Sequence, residues 1–391
     1  MDRSKREGVF NVITEHLVKQ AIKDRRHLHQ HPELSGQEYE TCQFIRNRLE
    51  ALDIEILDYQ APSVVGFVKG TKGNKTIALR ADIDALPIME EGDKPYISQN
   101  PGVAHMCGHD GHTAILLAVA EWISQHPEEI EPNIVLIFQS AEEISPSGAD
   151  QLIKQGVLNH VDAIFGLHLW QGMDKGQIGL RPGSMMASVD DFEITIQGYG
   201  GHGSMPHETV DPIYVASHVI QGLQGIVSRK LDPMVASVVT VGKIEAGTTY
   251  NIIPDSARII GTIRTLSPEV VHIIQSQIVQ ITEGICSAFG AKAQVDFIVG
   301  TPPLVNDPKE SEFAETIIRK AFGNEVFELV DPVMGSEDFS YYLQEKPGAF
   351  IYVGMSGERS QYPHHHPKFD IDEDVFPEAI RLFVEIVKNY K

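Results

Sequence analysis

Cysteine and uninterrupted apolar stretches are scarce in this chain, and basic side chains are heavily outnumbered. Three cysteines (Cys42, Cys107, Cys286) make an odd, widely spaced set that provides no disulfide framework. The longest purely apolar run, residues 114–120, falls far short of the roughly 20 residues that a membrane span needs. The first eight residues are charged and lack the apolar stretch of a secretory leader. Lysine and arginine number 32 against 54 acidic residues, a formal charge of −22 that repels phosphate backbones and anionic lipid surfaces. These shortfalls argue against nucleic-acid and membrane partners and lead us to expect a soluble, cytoplasmic protein. What remains is ordinary globular composition, 42% hydrophobic and 22% charged over 391 residues, long enough for two or three domains. Histidine stands out. There are 17, many beside Gly, Asp or Pro instead of inside periodic apolar stretches, which points to metal or proton chemistry.

Apolar spacing predicts a helix over residues 9–29, from Val9 onward, stopped by His31-Pro32, and a second over 37–52. β-rich segments follow at 54–57, 64–68 and 76–80. The chain then alternates helix (113–125), strand (134–139), helix (149–155) and strand (163–167). This grammar predicts an α/β core with a mixed, mainly parallel sheet and helices on both faces. Between 191 and 298 the order becomes βαββαβ, a ferredoxin-like α+β unit. We therefore expect a discontinuous core domain, residues 1–185 and 300–391, interrupted by a second domain over 186–299.

Four polar clusters stand at or near predicted strand ends, where ligands bind in open α/β sheets. Asp82-Ile83-Asp84 follows one strand, and by itself such a pair is more often turn former and helix cap than site residue. Cys107-Gly108-His109-Asp110-Gly111-His112 opens a predicted helix; a thiolate and an imidazole two residues apart suit a transition metal, the alternative being a buried thiol with capping histidines. Glu142-Glu143 follows another strand. Adjacent carboxylates repel unless a cation or a shared proton offsets them, and beside a metal one can ligate while the other accepts a proton. His168 ends a further strand, and His364-His365-His366 offers too many imidazoles for a cap. Taken together the clusters supply enough ligands for two metals sharing a water, roughly 3.5 to 4 Å apart.

Further motifs run the length of the chain: Arg26-His27-Leu28-His29, Pro32-Glu33-Leu34-Ser35, Arg80-Ala81-Asp82-Ile83-Asp84-Ala85-Leu86-Pro87, Gly201-His202-Gly203, Pro206-His207, Asn251-Ile252-Ile253-Pro254 and Gly335-Ser336-Glu337-Asp338-Phe339. With the clusters above, they make the chain resemble the metal-dependent aminoacylase and carboxypeptidase-type amidohydrolases. The likeness is to the branch of hippurate hydrolases, N-acetyl-diaminopimelate deacetylases and auxin-conjugate hydrolases. This resemblance implies a catalytic domain interrupted by a lid that also makes a homodimer, and two divalent metal ions per subunit (Zn, Mn or Co). It implies Cys107, His109, Glu143, His168 and His365 as metal ligands, Glu142 as general base, and Asp84 as a residue orienting the site from behind the ligands. Asp82 falls where other branches place a histidine ligand, and Cys107 takes that part here. His202 is implied to reach the substrate carbonyl oxygen, commonly in the neighbouring subunit's site, while Asn251 and Arg264 hold the substrate's carboxylate. The implied reaction is hydrolysis of the amide of a small N-acyl (for example N-acetyl) amino acid by a metal-activated water. A metallo-aminopeptidase or dipeptidase is the alternative, and a non-catalytic metal-binding module a more distant one. Three departures stand out: Met106 replaces a small residue, Ile144-Ser145-Pro146-Ser147 replaces a Gly-rich loop, and His366 takes the place of a polar non-ligand, leaving His364 and His366 as alternates to His365.

Overall fold

A computed structural model describes residues 13–60 and 62–391. The chain divides into two compact units, one made of Met1–Gly183, Val305–Asp331 and Tyr341–Lys391, the other of Ser184–Leu304 and Pro332–Ser340. The segment Pro332–Ser340 lies beyond the stretch that composition marks as the insert, yet it packs with the second unit.

In chain order the first unit opens with α1 (Glu15–Gln30), α2 (Tyr39–Glu50), β1 (Glu55–Leu57), β2 (Val64–Val68), β3 (Thr76–Asp82), α3 (His109–Gln125), β4 (Asn133–Gln139), α4 (Gly148–Lys154), β5 (Ala163–Asp174) and β6 (Ile178–Leu180). The chain continues through β7 (Gly183–Met186), β8 (Asp190–Gln197), β9 (Gly201–His202), α5 (Pro212–Arg229), β10 (Ser237–Ala246), β11 (Ile252–Ile253), β12 (Ser256–Thr265), α6 (Pro268–Ala288) and β13 (Lys292–Val299). It ends with β14 (Leu304–Asn306), α7 (Pro308–Phe322), β15 (Phe327–Leu329), α8 (Phe339–Glu345), β16 (Gly348–Ser356) and α9 (Phe376–Asn389). Thr14 starts α1, its hydroxyl accepting the N–H of Leu17. The earlier start predicted near Val9 lies outside the described residues.

The first unit's sheet has the strand order β1-β2-β4-β3-β5-β16-β6-β15. β3 pairs in parallel with β4 and with β5, β5 with β16, and β6 with β15, while β1–β2, β2–β4 and β6–β16 are antiparallel. This is a mixed, mainly parallel α/β sheet. Every residue of β3 is buried, as a strand covered on both faces requires. Beside the sheet, α3 is buried along almost its whole length and packs against α1, α2 and α9.

Three boundaries differ from the sequence expectation, and each moves a site residue. β3 runs to Asp82, because the ladder with β4 continues to an Asp82–Gln139 pair. α3 starts at His109 instead of Thr113; Gly108 before it has φ 104°, a left-handed turn that glycine adopts without steric cost. β5 does not stop at Leu167 but runs to Asp174, so His168 sits inside the strand opposite Tyr352 of β16. A run of apolar residues marks only the doubly covered part of a strand, so the half-exposed continuation escapes pattern reading.

The second unit is built as β8-α5-β10-β12-α6-β13, with the antiparallel sheet order β10-β12-β8-β13 that defines a ferredoxin-like topology. Alternate residues Phe192, Ile194 and Ile196 of β8 and Ala257, Ile259 and Ile263 of β12 form one buried core with the apolar faces of α5 and α6. β9 and β11 make a separate short ladder. Among the described residues no helix is long and apolar enough to cross a membrane.

Candidate metal centre

Side-by-side parallel strands bring the residues that follow them together. With β3 seated between β4 and β5, Asp84 follows β3 beside Glu143, which follows β4, and Asp82 at the end of β3 lies near His168 on β5. The first turn of α3 brings His109 to the same place, with Cys107 just before it.

Three overlapping groups of ligating side chains result: His109 with Glu142 and Glu143, Cys107 with Glu143 and His365, and Cys107 with His168 and His364, the ligand atoms of each group lying within 4.8 Å of one another. His365 Nε2 is 3.2 Å from Glu143 Oε1. His109 Nε2 is 3.9 Å from that same oxygen and 4.0 Å from Glu142 Oε2. Cys107 Sγ is 3.7 Å from His168 Nε2. Glu143 joins the first two groups and Cys107 the last two, so the donors form one continuous patch. His109 Nε2 is buried without a hydrogen-bond partner among the described residues, and Glu143 Oε1, equally buried, has only the His365 ion pair. Orphaned polar atoms of this kind are costly unless something else satisfies them. The mixture of thiol, imidazole and carboxylate suits zinc and its divalent neighbours, so these residues fit such ions.

Neighbours aim the donors. Asp84 Oδ1 accepts from His109 Nδ1 at 3.0 Å, which turns Nε2 toward the cluster. The other oxygen of Asp84 accepts from Ser35 Oγ at 2.7 Å and from the Glu143 N–H at 3.0 Å. Burial works against the Asp84 carboxylate, yet the bonds from His109, Ser35 and the Glu143 backbone hold its pKa below the ordinary value. His168 Nδ1 donates to the Leu169 carbonyl at 2.9 Å, so its Nε2 is the unprotonated nitrogen. Burial, with His112 and His364 nearby, keeps that ring neutral, as ligation requires. His365 has φ 64° and donates its N–H to the Met106 carbonyl at 2.7 Å. Cys107 and Glu143 raise its pKa to about 10 against the effect of burial, so positive charge is favoured where this ring sits.

Of the three C-terminal histidines, His365 is the one that meets Glu143. His364 Nε2 accepts the Gln171 N–H at 3.2 Å, and its ring packs edge-on against His168. His366 Nδ1 accepts from the Lys368 N–H at 3.0 Å, its ring stacks on Tyr362, and it joins none of the ligand groups among the described residues. His112 is also committed: its Nδ1 lies 2.6 Å from Asp82 Oδ1, and its Nε2 accepts the Leu169 N–H at 3.0 Å. Asp82 in turn accepts from Arg80 at 2.7 Å. Arg80, Asp82 and His112 thus tie β3, α3 and β5 together directly behind the ligands. Sequence reasoning assigned Arg80 and His112 no part in the site. The signal was two charged residues, two apart, in a strand otherwise apolar enough to be buried on both faces.

In the second unit His202 faces solvent on β9. Its Nδ1 accepts from the Ser204 N–H at 3.1 Å, which places the ring proton on Nε2. The Gly203 N–H donates to the Asn251 carbonyl at 2.9 Å, so His202 and Asn251 are neighbours. Arg264 is not with them. It sits near the far end of β12, a ten-residue strand spanning on the order of 30 Å, with Nη1 donating to Ser336 Oγ at 3.2 Å. Burial lowers its pKa, partly countered by Asp191 and Asp190.

Against known proteins, the chain is 41% identical over 376 residues to the N-acetyl-L-cysteine deacetylase of Bacillus subtilis, covering 95% of this chain and 88% of that one. It is 40% identical over 360 residues to thermostable carboxypeptidase 2 of Saccharolobus solfataricus, covering 90% and 91%. Among solved structures, the Bacillus subtilis YXEP protein, a dinuclear metal binding peptidase, superposes with a TM-score of 0.84 at 37% identity over 96% of this chain and 98% of that one. The sequence model of Peptidase family M20/M25/M40 matches residues 78–389. With its α/β sheet, ferredoxin-like unit and cluster of donors, the chain belongs to Peptidase family M20/M25/M40 and is a hydrolase of amide or peptide bonds.

Proposed function

We propose that this protein hydrolyses the amide of N-acyl amino acids, releasing a carboxylic acid and a free amino acid, with two divalent metal ions held by Cys107, His109, Glu143, His168 and His365. The observation that carries this reading is the overlap of three ligand groups through Glu143 and Cys107, with Glu142 alongside and the buried His109 Nε2 left without a hydrogen-bond partner among the described residues. Bound metals supply Lewis acidity, polarising the scissile carbonyl and acidifying water. Glu142, its carboxylate beside that patch, takes the proton from the attacking water and passes it to the leaving nitrogen. His202 Nε2–H donates to the carbonyl oxygen as charge develops there. Arg264 selects for a free carboxylate through a charge-assisted contact, with Asn251 as a further polar partner.

Support for the N-acyl substrate comes from the deacetylase relative; the carboxypeptidase relative supports a peptide substrate instead. A panel of N-acetyl amino acids and dipeptides, assayed with added Zn, Mn or Co, separates the two. We expect kcat/KM to be higher for N-acetyl amino acids, and a consistent preference for dipeptides would overturn the assignment.

The separation of Arg264 from His202 and Asn251 along β12 favours a homodimer in which these groups serve one substrate from two subunits. Mixing inactive His202→Ala and Glu142→Gln subunits is then expected to restore activity, since one site of each mixed dimer holds both wild-type groups. No recovery after verified subunit exchange would place His202 in its own subunit's chemistry or outside it.

A further inference from the structure

Glu38 has no part in the chemistry described above, yet its carboxyl is fully buried. It occupies the N-cap of α2, where an acid ordinarily accepts the helix's own N–H groups, but it makes no such bond. Glu33 performs that task, accepting the Thr41 N–H at 2.8 Å and the Glu40 N–H at 3.2 Å. The Glu38 side chain instead reaches Ala141, 103 positions away, whose N–H donates to Oε1 at 2.8 Å. Its Oε2 is buried with no hydrogen-bond partner among the described residues. Burial, with Asp84 nearby, raises its pKa to about 7. A buried carboxyl facing no cation is destabilising, so its position needs a reason.

Ala141 supplies one. It directly precedes Glu142-Glu143 and has φ 53°, in the left-handed region that residues with a Cβ seldom adopt. Both of its backbone polar groups are held, the N–H by Glu38 and the carbonyl by the Gly148 N–H at 3.0 Å. Gly148 comes so close that a Cβ there would stand 1.8 Å from the Ser140 carbonyl oxygen. Freed from these bonds, Ala141 would relax toward negative φ and swing the two carboxylates that follow it. Ser35, three residues before Glu38, holds Asp84 at 2.7 Å, so one short segment braces both loops of the centre.

We propose that Glu38 is a positioning residue whose buried carboxyl pins Ala141 in the left-handed conformation that aims Glu142 and Glu143. The inference rests on reading those two carboxylates as base and ligand. Glu38 itself touches no substrate.

The test compares Glu38→Ala, Glu38→Gln, the double variant Glu38→Ala with Ala141→Gly, and Glu142→Gln, all as full chains. The readouts are kcat and KM on an N-acetyl amino acid, metal retained under chelator challenge, and Tm at about pH 5 and about pH 8. Glu38→Ala is expected to lose roughly 10²-fold in kcat with little change in KM, and to release metal sooner. Glu38→Gln, whose amide oxygen accepts the same N–H, restores both. Glycine takes positive φ without strain, so the double variant recovers part of the loss. Because the folded pKa of Glu38 lies above its ordinary value of 4.5, the wild type loses stability as pH rises from there through about 7. The ionisable groups facing Glu38 are Asp84, and Cys42 of α2. Gln cannot ionise, so its Tm advantage over wild type is larger at the higher pH.

Normal kcat and metal retention in Glu38→Ala would overturn the proposal. So would a Glu38→Gln variant that loses turnover tenfold or more, a result that stands even if Glu38→Ala does not fold. If instead Glu142→Gln keeps its turnover, the reading of the base fails, and metal retention and Tm still judge Glu38.

Discussion

Glu142→Gln lowers kcat by roughly 10²- to 10⁴-fold while metal content stays at the wild-type level. Gln keeps the shape and the hydrogen-bonding reach of the side chain but cannot take up a proton at neutral pH. Of the adjacent carboxylates, Glu143 is the more deeply engaged: its Oε1 lies 3.2 Å from His365 Nε2 and 3.9 Å from His109 Nε2, and its backbone N–H is tied to Asp84. Glu142 approaches the same patch from one side, 4.0 Å from His109 Nε2. The matching Glu143→Gln change is therefore expected to lose metal first and turnover as a consequence. Metal analysis of both purified variants beside steady-state kinetics checks the division. Loss of metal from Glu142→Gln with retention in Glu143→Gln would reverse the two roles.

Arg25→Met destabilises the first unit by roughly 3–5 kcal/mol, the cost typical of stranding buried charges. The guanidinium is completely buried, with Nε 2.8 Å from Asp110, Nη2 2.6 Å from Asp370 and Nη1 3.2 Å from Glu373. It also lies over the Tyr96 ring, 4.7 Å from the centroid. Asp110 is the neighbour of His109, and Asp370 and Glu373 follow the segment carrying His365, so one cation binds two ligand-bearing elements together. Methionine fills similar volume but removes the cation from Asp110 and Asp370, leaving Asp110 with His29 and Asp370 with the Tyr96 hydroxyl, while Glu373 keeps Arg26 at 2.6 Å. Burial opposes ionisation of Asp110, but Arg25 and then His29 hold its pKa well below the ordinary 3.8. Stability from that pairing is therefore complete above the ordinary value and is lost as pH falls through the depressed one. In the variant Asp110 loses the cation that holds its pKa down and takes up a proton more readily, so the deficit is largest near neutral pH and narrows in acid. Urea unfolding followed by tryptophan fluorescence reports on this unit alone, because both tryptophans, Trp122 and Trp170, lie in it. A deficit below about 1 kcal/mol at neutral pH would show that the cluster does not carry the load assigned to Arg25.

By itself the sequence determined the architecture and the kinds of residue in the centre. Periodicity distinguishes buried strands from amphipathic helices, and the change from alternating to βαββαβ order near residue 190 is a local pattern that needs no long-range contact to read. Cys107 and His109, Glu142 and Glu143, and the run of three histidines are likewise visible as short motifs. The limits of the elements were less legible: β6, β9, β11 and β15 are two or three residues long, too short to carry a period, and exist because a neighbouring strand is there to pair with. Tertiary structure alone decided which atom of each side chain is available. His109 and His112 share one motif, but Asp84 turns the first toward the cluster while Asp82 and the Leu169 N–H use both nitrogens of the second. His364, His365 and His366 are consecutive, and only the path of the backbone places one beside Glu143, one against Gln171 and one on Tyr362. Glu38 falls within the helix predicted over 37–52 and shows no part in the site until the fold brings Ala141 to it across 103 positions. The physical reason is the same in each case: sequence spacing sets which residues share a turn or a strand face, whereas protonation, tautomer and orientation follow from the hydrogen-bond partners that folding brings from elsewhere in the chain.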